Sequence, residues 1–169
     1  MAHGVEFDEN AVAVAHSGIV AEGFSPQLQV IQGDAWDLAN NESKLFDAVK
    51  KLGPFDLVYS YAVVDGGSGF PEAIREKADE QTKSLPEEES YKEYSNLVLK
   101  GLYGFYAGVD KLLSKDGIQL HTAIGDRGTI SYMDYRFADA NLIRKINESI
   151  VDNDVRQIAI PAGSIKPLV

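Results

Sequence analysis

The chain has 169 residues, with 16 basic and 26 acidic side chains and a net charge of −10. That length fits one domain with a real hydrophobic core. A composition of 44% hydrophobic and 25% charged residues excludes the disordered and fibrous classes. Excess negative charge disfavours gripping phosphate backbones, which depends on Lys and Arg displacing counterions, so no nucleic-acid partner is expected. With no Cys, disulfides, thiolate catalysis and Cys-ligated zinc or iron–sulfur clusters are excluded. No basic-then-apolar leader opens the sequence, and no apolar run approaches the roughly 18 residues of a membrane span. The expectation is a single domain over residues 1–169, cytoplasmic and without membrane contact.

Short apolar runs alternate with helical stretches, the pattern of an α/β fold with a parallel sheet. Gly4 to Phe7 reads as a strand, followed by Asp8, a good helix N-cap. From Glu9 to Glu22, Val12, Ala15 and Ile19 fall on one helical stripe, and Gly23 is positioned to end that helix. Leu28 to Gln32 reads as a second strand, closed by Gly33-Asp34. Asn41 to Leu52 carries Leu45, Phe46, Val49 and Leu52 at helical spacing and stops at Gly53-Pro54. Phe55 to Tyr61 is a third strand.

Asp65 to Gly69 is a turn, and the charge-dense stretch over 66–93 is a candidate lid over a substrate pocket, because an insertion there overhangs the sheet edge. Its Glu87-Glu88-Glu89 run also fits a solvated helix face. Ser90 to Leu113 is a long helix with Leu97, Val98, Leu102, Phe105, Val109 and Leu112 on its apolar face. Gly101, Gly104 and Gly108 each weaken it by up to about 1 kcal/mol relative to Ala, so packing must hold it. Ile118 to Ile124, Phe137 to Val151 and Val155 to Ile160 read as strand, helix and strand.

Ligands of open α/β sheets bind at the carboxyl ends of the strands. Two acids stand at such ends, Glu6 and Asp34. The first could accept from ribose hydroxyls and the second from an adenine amino group, with Phe7 offering an apolar face. Both also fit as ordinary strand-end and turn residues. The isolated His3, His16 and His121 lack the spacing of a metal site, and none is expected.

On these residues the chain resembles the class I S-adenosylmethionine-dependent methyltransferases. GVEFDENAVAVAHSGIVAEG looks like their second strand and helix, LQVIQGDAWDL like their third strand, FDLVYSYAVVD like the fourth and LLSKDGIQLHTAI like the fifth. The resemblance implies a three-layer Rossmann-like fold with a mostly parallel sheet and S-adenosylmethionine as cofactor. It places Glu6 on ribose, Phe7 and Ala35 beside adenine, and Asp34 on the adenine amino group. Ser60 and Tyr61 would lie near the sulfonium and the substrate, and Tyr61, Asp65 and His121 are the candidate bases. The substrate would be a small molecule or a protein side chain.

Two departures follow. The family's first strand and glycine-rich loop would precede Glu6, where five residues stand, so the fold is read as N-terminally incomplete. That strand lies between the second and fourth, and its loss leaves backbone donors and acceptors unpaired. A second chain or second copy would supply it, or the flanking strands would pair directly, or the chain is a fragment. Where family members that methylate amide or exocyclic amino nitrogens often carry Asn-Pro-Pro-Tyr, this chain has Ser60-Tyr61-Ala62-Val63. The alternative function is a non-catalytic, methyltransferase-like binding or scaffold subunit. A short-chain dehydrogenase is set aside, since none of the eight Tyr residues is followed by Lys at i+4.

Overall fold

A computed structural model describes residues 1–61, 76, 79–124 and 155–165. The fold is mixed α/β, in the order β1 (Ala2–Glu6), α1 (Glu9–Ala21), β2 (Leu28–Gln32), a 3-10 helix (Ala35–Ala39), α2 (Lys44–Lys50), β3 (Phe55–Tyr61), α3 (Glu87–Asp110), β4 (Leu113–Ile124) and β5 (Val155–Pro161). The turn at 65–69, residues 66–75 and 77–78 of the lid candidate at 66–93, the helix expected over 137–151 and the side chain of Tyr61 lie outside the described residues.

Local chemistry sets the ends of α1. The Asp8 side chain accepts from the Ala11 N–H at 2.9 Å, satisfying one of the donors that a helix start leaves open. At the other end Phe24 N–H reaches the Ile19 carbonyl at 2.9 Å and Gly23 N–H reaches Val20 at 3.2 Å. This Schellman closure needs a left-handed residue, and Gly23 supplies it at φ 72°. Ser43 starts α2 similarly, accepting from Phe46 N–H at 3.0 Å, so that helix is shorter than its apolar spacing predicts. Glu87, Glu88 and Glu89 form the exposed first turn of α3, where the helix dipole favours negative charge.

The strands form two ladders rather than the single sheet expected. β1 and β2 pair in parallel, from Ala2 opposite Leu28 to Glu6 opposite Gln32. β3 pairs in parallel with β4, and β4 pairs antiparallel with β5, in the order β3-β4-β5. A register shift between Phe55 and Leu57 lets β4 begin at Leu113, earlier than the expected Ile118. The first strand is also displaced: Phe7 leaves it and is exposed. Among the described residues no ladder joins β1 to β3, so direct pairing of the flanking strands does not occur there. Their side chains nevertheless share one core, since Val5, Phe55 and Val58 all pack on the same cluster. The His3 ring also stands edge-on to Phe55, 6.0 Å between centroids.

That cluster comprises Leu38, Leu45, Phe46, Val49, Phe105, Tyr106, Val109, Leu112 and Ile160. Burying each Phe contributes about 1.5–3 kcal/mol. The core joins the 3-10 helix, α2 and α3 to one face of β3–β5. Gly108 explains how α3 comes so close: a Cβ there would overlap the Leu38 carbonyl, and its neighbour one turn back, Gly104, has Ala39 Cβ 3.5 Å from its own Cβ position. Gly108, which weakens α3 locally, is what lets it seat on the 3-10 helix. The opposite face of β3–β4 carries Leu57 and Tyr59, 58% and 53% exposed, beside the exposed Ile118. Among the described residues no helix is long and apolar enough to cross a membrane.

Candidate functional site

Glu6 and Asp34 stand at the carboxyl ends of neighbouring parallel strands. The Gly33 N–H donates to the Glu6 carbonyl at 2.9 Å, extending the ladder by one step and placing Asp34 beside the end of β1. Both carboxylates are half-buried. Each commits an oxygen locally: Glu6 Oε1 accepts from Asp8 N–H at 2.9 Å, and Asp34 Oδ1 accepts from Trp36 N–H at 3.0 Å, capping the 3-10 helix. An ionised carboxylate offers about four lone-pair sites, so local capping leaves acceptor capacity on both. Ala35, half-buried, starts the 3-10 helix and packs against the core, while Phe7 projects into solvent at the end of β1.

A second polar cluster lies between β3, β4 and α3. Ser60 Oγ and His121 Nδ1 are 2.7 Å apart, His121 Nε2 and Gln119 Oε1 are 2.9 Å apart, and Gln119 Nε2 donates to the Tyr106 carbonyl at 3.3 Å. Register explains the grouping: Ser60 pairs with His121 across the β3–β4 ladder, and Gln119 lies two residues before His121 on the same face. Ser60 is 9% exposed and His121 is fully buried. The rings of Phe105 and Tyr106 flank the imidazole at 5.7 and 4.9 Å. Desolvation lowers the His121 pKa to about 3, so the ring is neutral at ordinary pH. Both ring nitrogens are occupied, so the candidate base His121 meets other groups only through Ser60 and Gln119.

The two clusters communicate by ring contact. Asp34 caps the turn that bears Trp36, whose ring is 4.9 Å from Phe105, and Phe105 in turn contacts His121. Sequence reasoning named Asp34, Ser60 and His121 but missed Gln119, Trp36 and Phe105 as their supports. The i, i+2 spacing of Gln119 and His121, which puts both on one face of a strand, was the available signal for Gln119. Asp65 lies outside the described residues, as does the side chain of Tyr61.

Of the remaining histidines, His16 Nε2 lies 2.8 Å from the Val30 carbonyl, tying α1 to β2. His3 Nδ1 and Thr122 Oγ1 are buried without a hydrogen-bond partner among the described residues. No group of three or more His, Asp or Glu able to hold a metal ion occurs among those residues. No protein-family model matches the chain, and no curated protein sequence matches it.

Proposed function

We propose that the chain is the core of an S-adenosylmethionine-dependent methyltransferase-like domain of three-layer, Rossmann-like architecture. The supporting observation is the placement of Glu6 and Asp34 on adjacent parallel strand ends, each keeping acceptor capacity after its local bond. In this reading Glu6 accepts from the ribose hydroxyls and Asp34 from the adenine amino group, with Phe7 and Ala35 beside the ring. When bound, S-adenosylmethionine supplies an activated methyl group on a sulfonium, already a good electrophile. The protein's part is to hold the nucleophile of a small molecule or protein side chain at near-attack distance. A base is needed only where that nucleophile must lose a proton; Tyr61 and Asp65 are the candidates, with His121 acting through Ser60.

The separate edges of β1 and β3 support a further element of the proposal. A strand from a second chain, or from another copy of this one, pairs between them and completes the cofactor site. The non-catalytic scaffold reading draws support from the same carboxylates, because both already serve as local caps.

Calorimetric titration of the chain with S-adenosylmethionine tests the cofactor assignment. We expect measurable binding, weakened about 10-fold or more by Glu6→Ala and by Asp34→Ala, since a charged hydrogen bond contributes about 1.5–3 kcal/mol. No heat at millimolar ligand, with both variants indistinguishable from the parent, would remove the cofactor from the isolated chain.

A further inference from the structure

The two edges of the β1–β2 ladder are finished differently. Ala2 N–H donates to the Gln27 carbonyl and Gly33 N–H to the Glu6 carbonyl, so Ala2, Gly4 and Glu6 turn their backbone groups toward β2. Backbone direction alternates along a strand, so the N–H and C=O groups of His3 and Val5 face the other way, toward β3. No described residue pairs with them. The outer edge of β2 is guarded by its own chain. Leu28 N–H donates to the Phe24 carbonyl at 3.0 Å, and His16 Nε2 lies 2.8 Å from the Val30 carbonyl. Proteins blunt the strand edges they do not use, and here the inner edge is left open.

β3 offers a second open edge, since its ladder among the described residues is with β4 alone. The Cα atoms of β1 and β3 stay more than 8 Å apart along nearly all of their length, beyond the roughly 4.8 Å of neighbouring strands. The His3 and Phe55 rings nevertheless meet across the opening, 6.0 Å between centroids. A separation of two strand steps, roughly 10 Å, satisfies both observations. His3 Nδ1, on the wall of this opening, is buried without a hydrogen-bond partner, a group that an occupant would satisfy.

We propose that the opening between β1 and β3 docks a single extended segment of another polypeptide, about as long as the five-residue β1 and apolar on both faces. An occupant bordered by strands on both sides must bring two free edges. Each of β1 to β5 already commits at least one edge to a neighbour, so a folded second copy has none of these strands to offer. The apolar character follows from the walls. Val5, Phe55 and Val58 pack on the core cluster on one face, and Leu57 and Tyr59 lie exposed on the other. Strands covered on both faces read as continuous apolar runs. The net charge of −10 favours a segment with basic flanks. The inference rests on the strand-completion part of the proposed function and narrows its partner; it needs no nucleoside at Glu6 and Asp34.

A nonapeptide of five Val and Ile residues with two Lys at each end, added to the intact chain, tests the site by amide hydrogen exchange. In the free chain the His3 and Val5 amides should exchange at least tenfold faster than those of Gly4 and Glu6, which face β2. The peptide should slow His3 and Val5 at least tenfold and leave Gly4 and Glu6 unchanged. Val5→Pro removes a donor from the opening and none from the β1–β2 ladder, and should weaken the peptide at least tenfold. The same peptide N-methylated at every Val and Ile makes the equivalent test on the parent chain and should not protect either amide. Failure of the peptide to slow His3 and Val5, or equal protection by its N-methylated form, would overturn the proposal. So would protection of those two amides in the free chain, by its own residues or by a second copy. S-adenosylmethionine is absent throughout, so failure here leaves the cofactor assignment to its own titration.

Discussion

The two faces of the β3–β4 ladder invert the usual distribution of polarity. Toward α3 the ladder buries Ser60, Gln119 and His121; away from it, Leu57, Tyr59 and Ile118 meet solvent. The buried polar face is tolerable because each donor finds an acceptor in an unbroken chain ending on the Tyr106 carbonyl. The apolar face gains no equivalent stabilisation, because exposed hydrocarbon has not been removed from water. Towards the end of β4 the second face is covered too, since Thr122 is 1% exposed, so the contrast holds along the Leu57–Tyr59 stretch, where the polar residues on the α3 side are the ones whose loss should be felt.

Acid should break the comparison most severely. An unfolded His121, with its ordinary pKa near 6.5, takes up a proton that the buried ring refuses until about pH 3. Its contribution to stability is thus fully present above pH 6.5 and is lost as pH falls through that window. Urea unfolding should show a loss of about 3 kcal/mol between pH 7 and pH 4 from this ring alone. A His121→Gln variant should have a shallower slope over that interval, and an unchanged slope would show that the ring is not shielded.

Substitutions on α3 come next. Gly108→Ala should cost about 1–3 kcal/mol by forcing a Cβ against the Leu38 carbonyl, whereas Gly104→Ala, in ordinary contact with Ala39, should be neutral or gain up to about 1 kcal/mol. Thermal denaturation of the pair checks both signs. Asp34→Ala should lower stability by about 1 kcal/mol through loss of its cap on Trp36, apart from any effect on ligand binding. Leu57→Ser and Tyr59→Ser should change stability by less than about 0.5 kcal/mol. A large loss from either would mean that this face is covered in solution.

How much of this was legible in the chain depends on whether the governing contact is local. α1 was readable because Asp8 and Gly23 carry its start and stop within the segment itself. The 3-10 helix at Ala35–Ala39 was not: its Asp34 cap looks like any Gly-Asp turn, and what holds Trp36 and Leu38 is α3, far along the chain. Gly108 reads as a weakness in a helix, since nothing nearby announces that another backbone passes over it. The division into two ladders was partly foreseen, as a missing neighbour for the strand containing Val5, yet the early start of β4 depends on a register shift beside Phe55. Glu6 and Asp34 were singled out by their places at strand ends, and the β1–β2 ladder puts them there. Ser60 and His121 were each named, but their bond joins residues 61 positions apart and emerges only once β3 and β4 align.

The near-contact of Gly108 with Leu38 also has a mechanical side. Two backbones meet there without an intervening side chain, so the position of α3 along and around its axis is set directly by the Leu38 carbonyl. Leu38 belongs to the same short turn as Ala35, and that turn is anchored by Asp34. The rim at the end of β2 is thus tied, through one short turn, to a 24-residue helix whose far tip bears three glutamates.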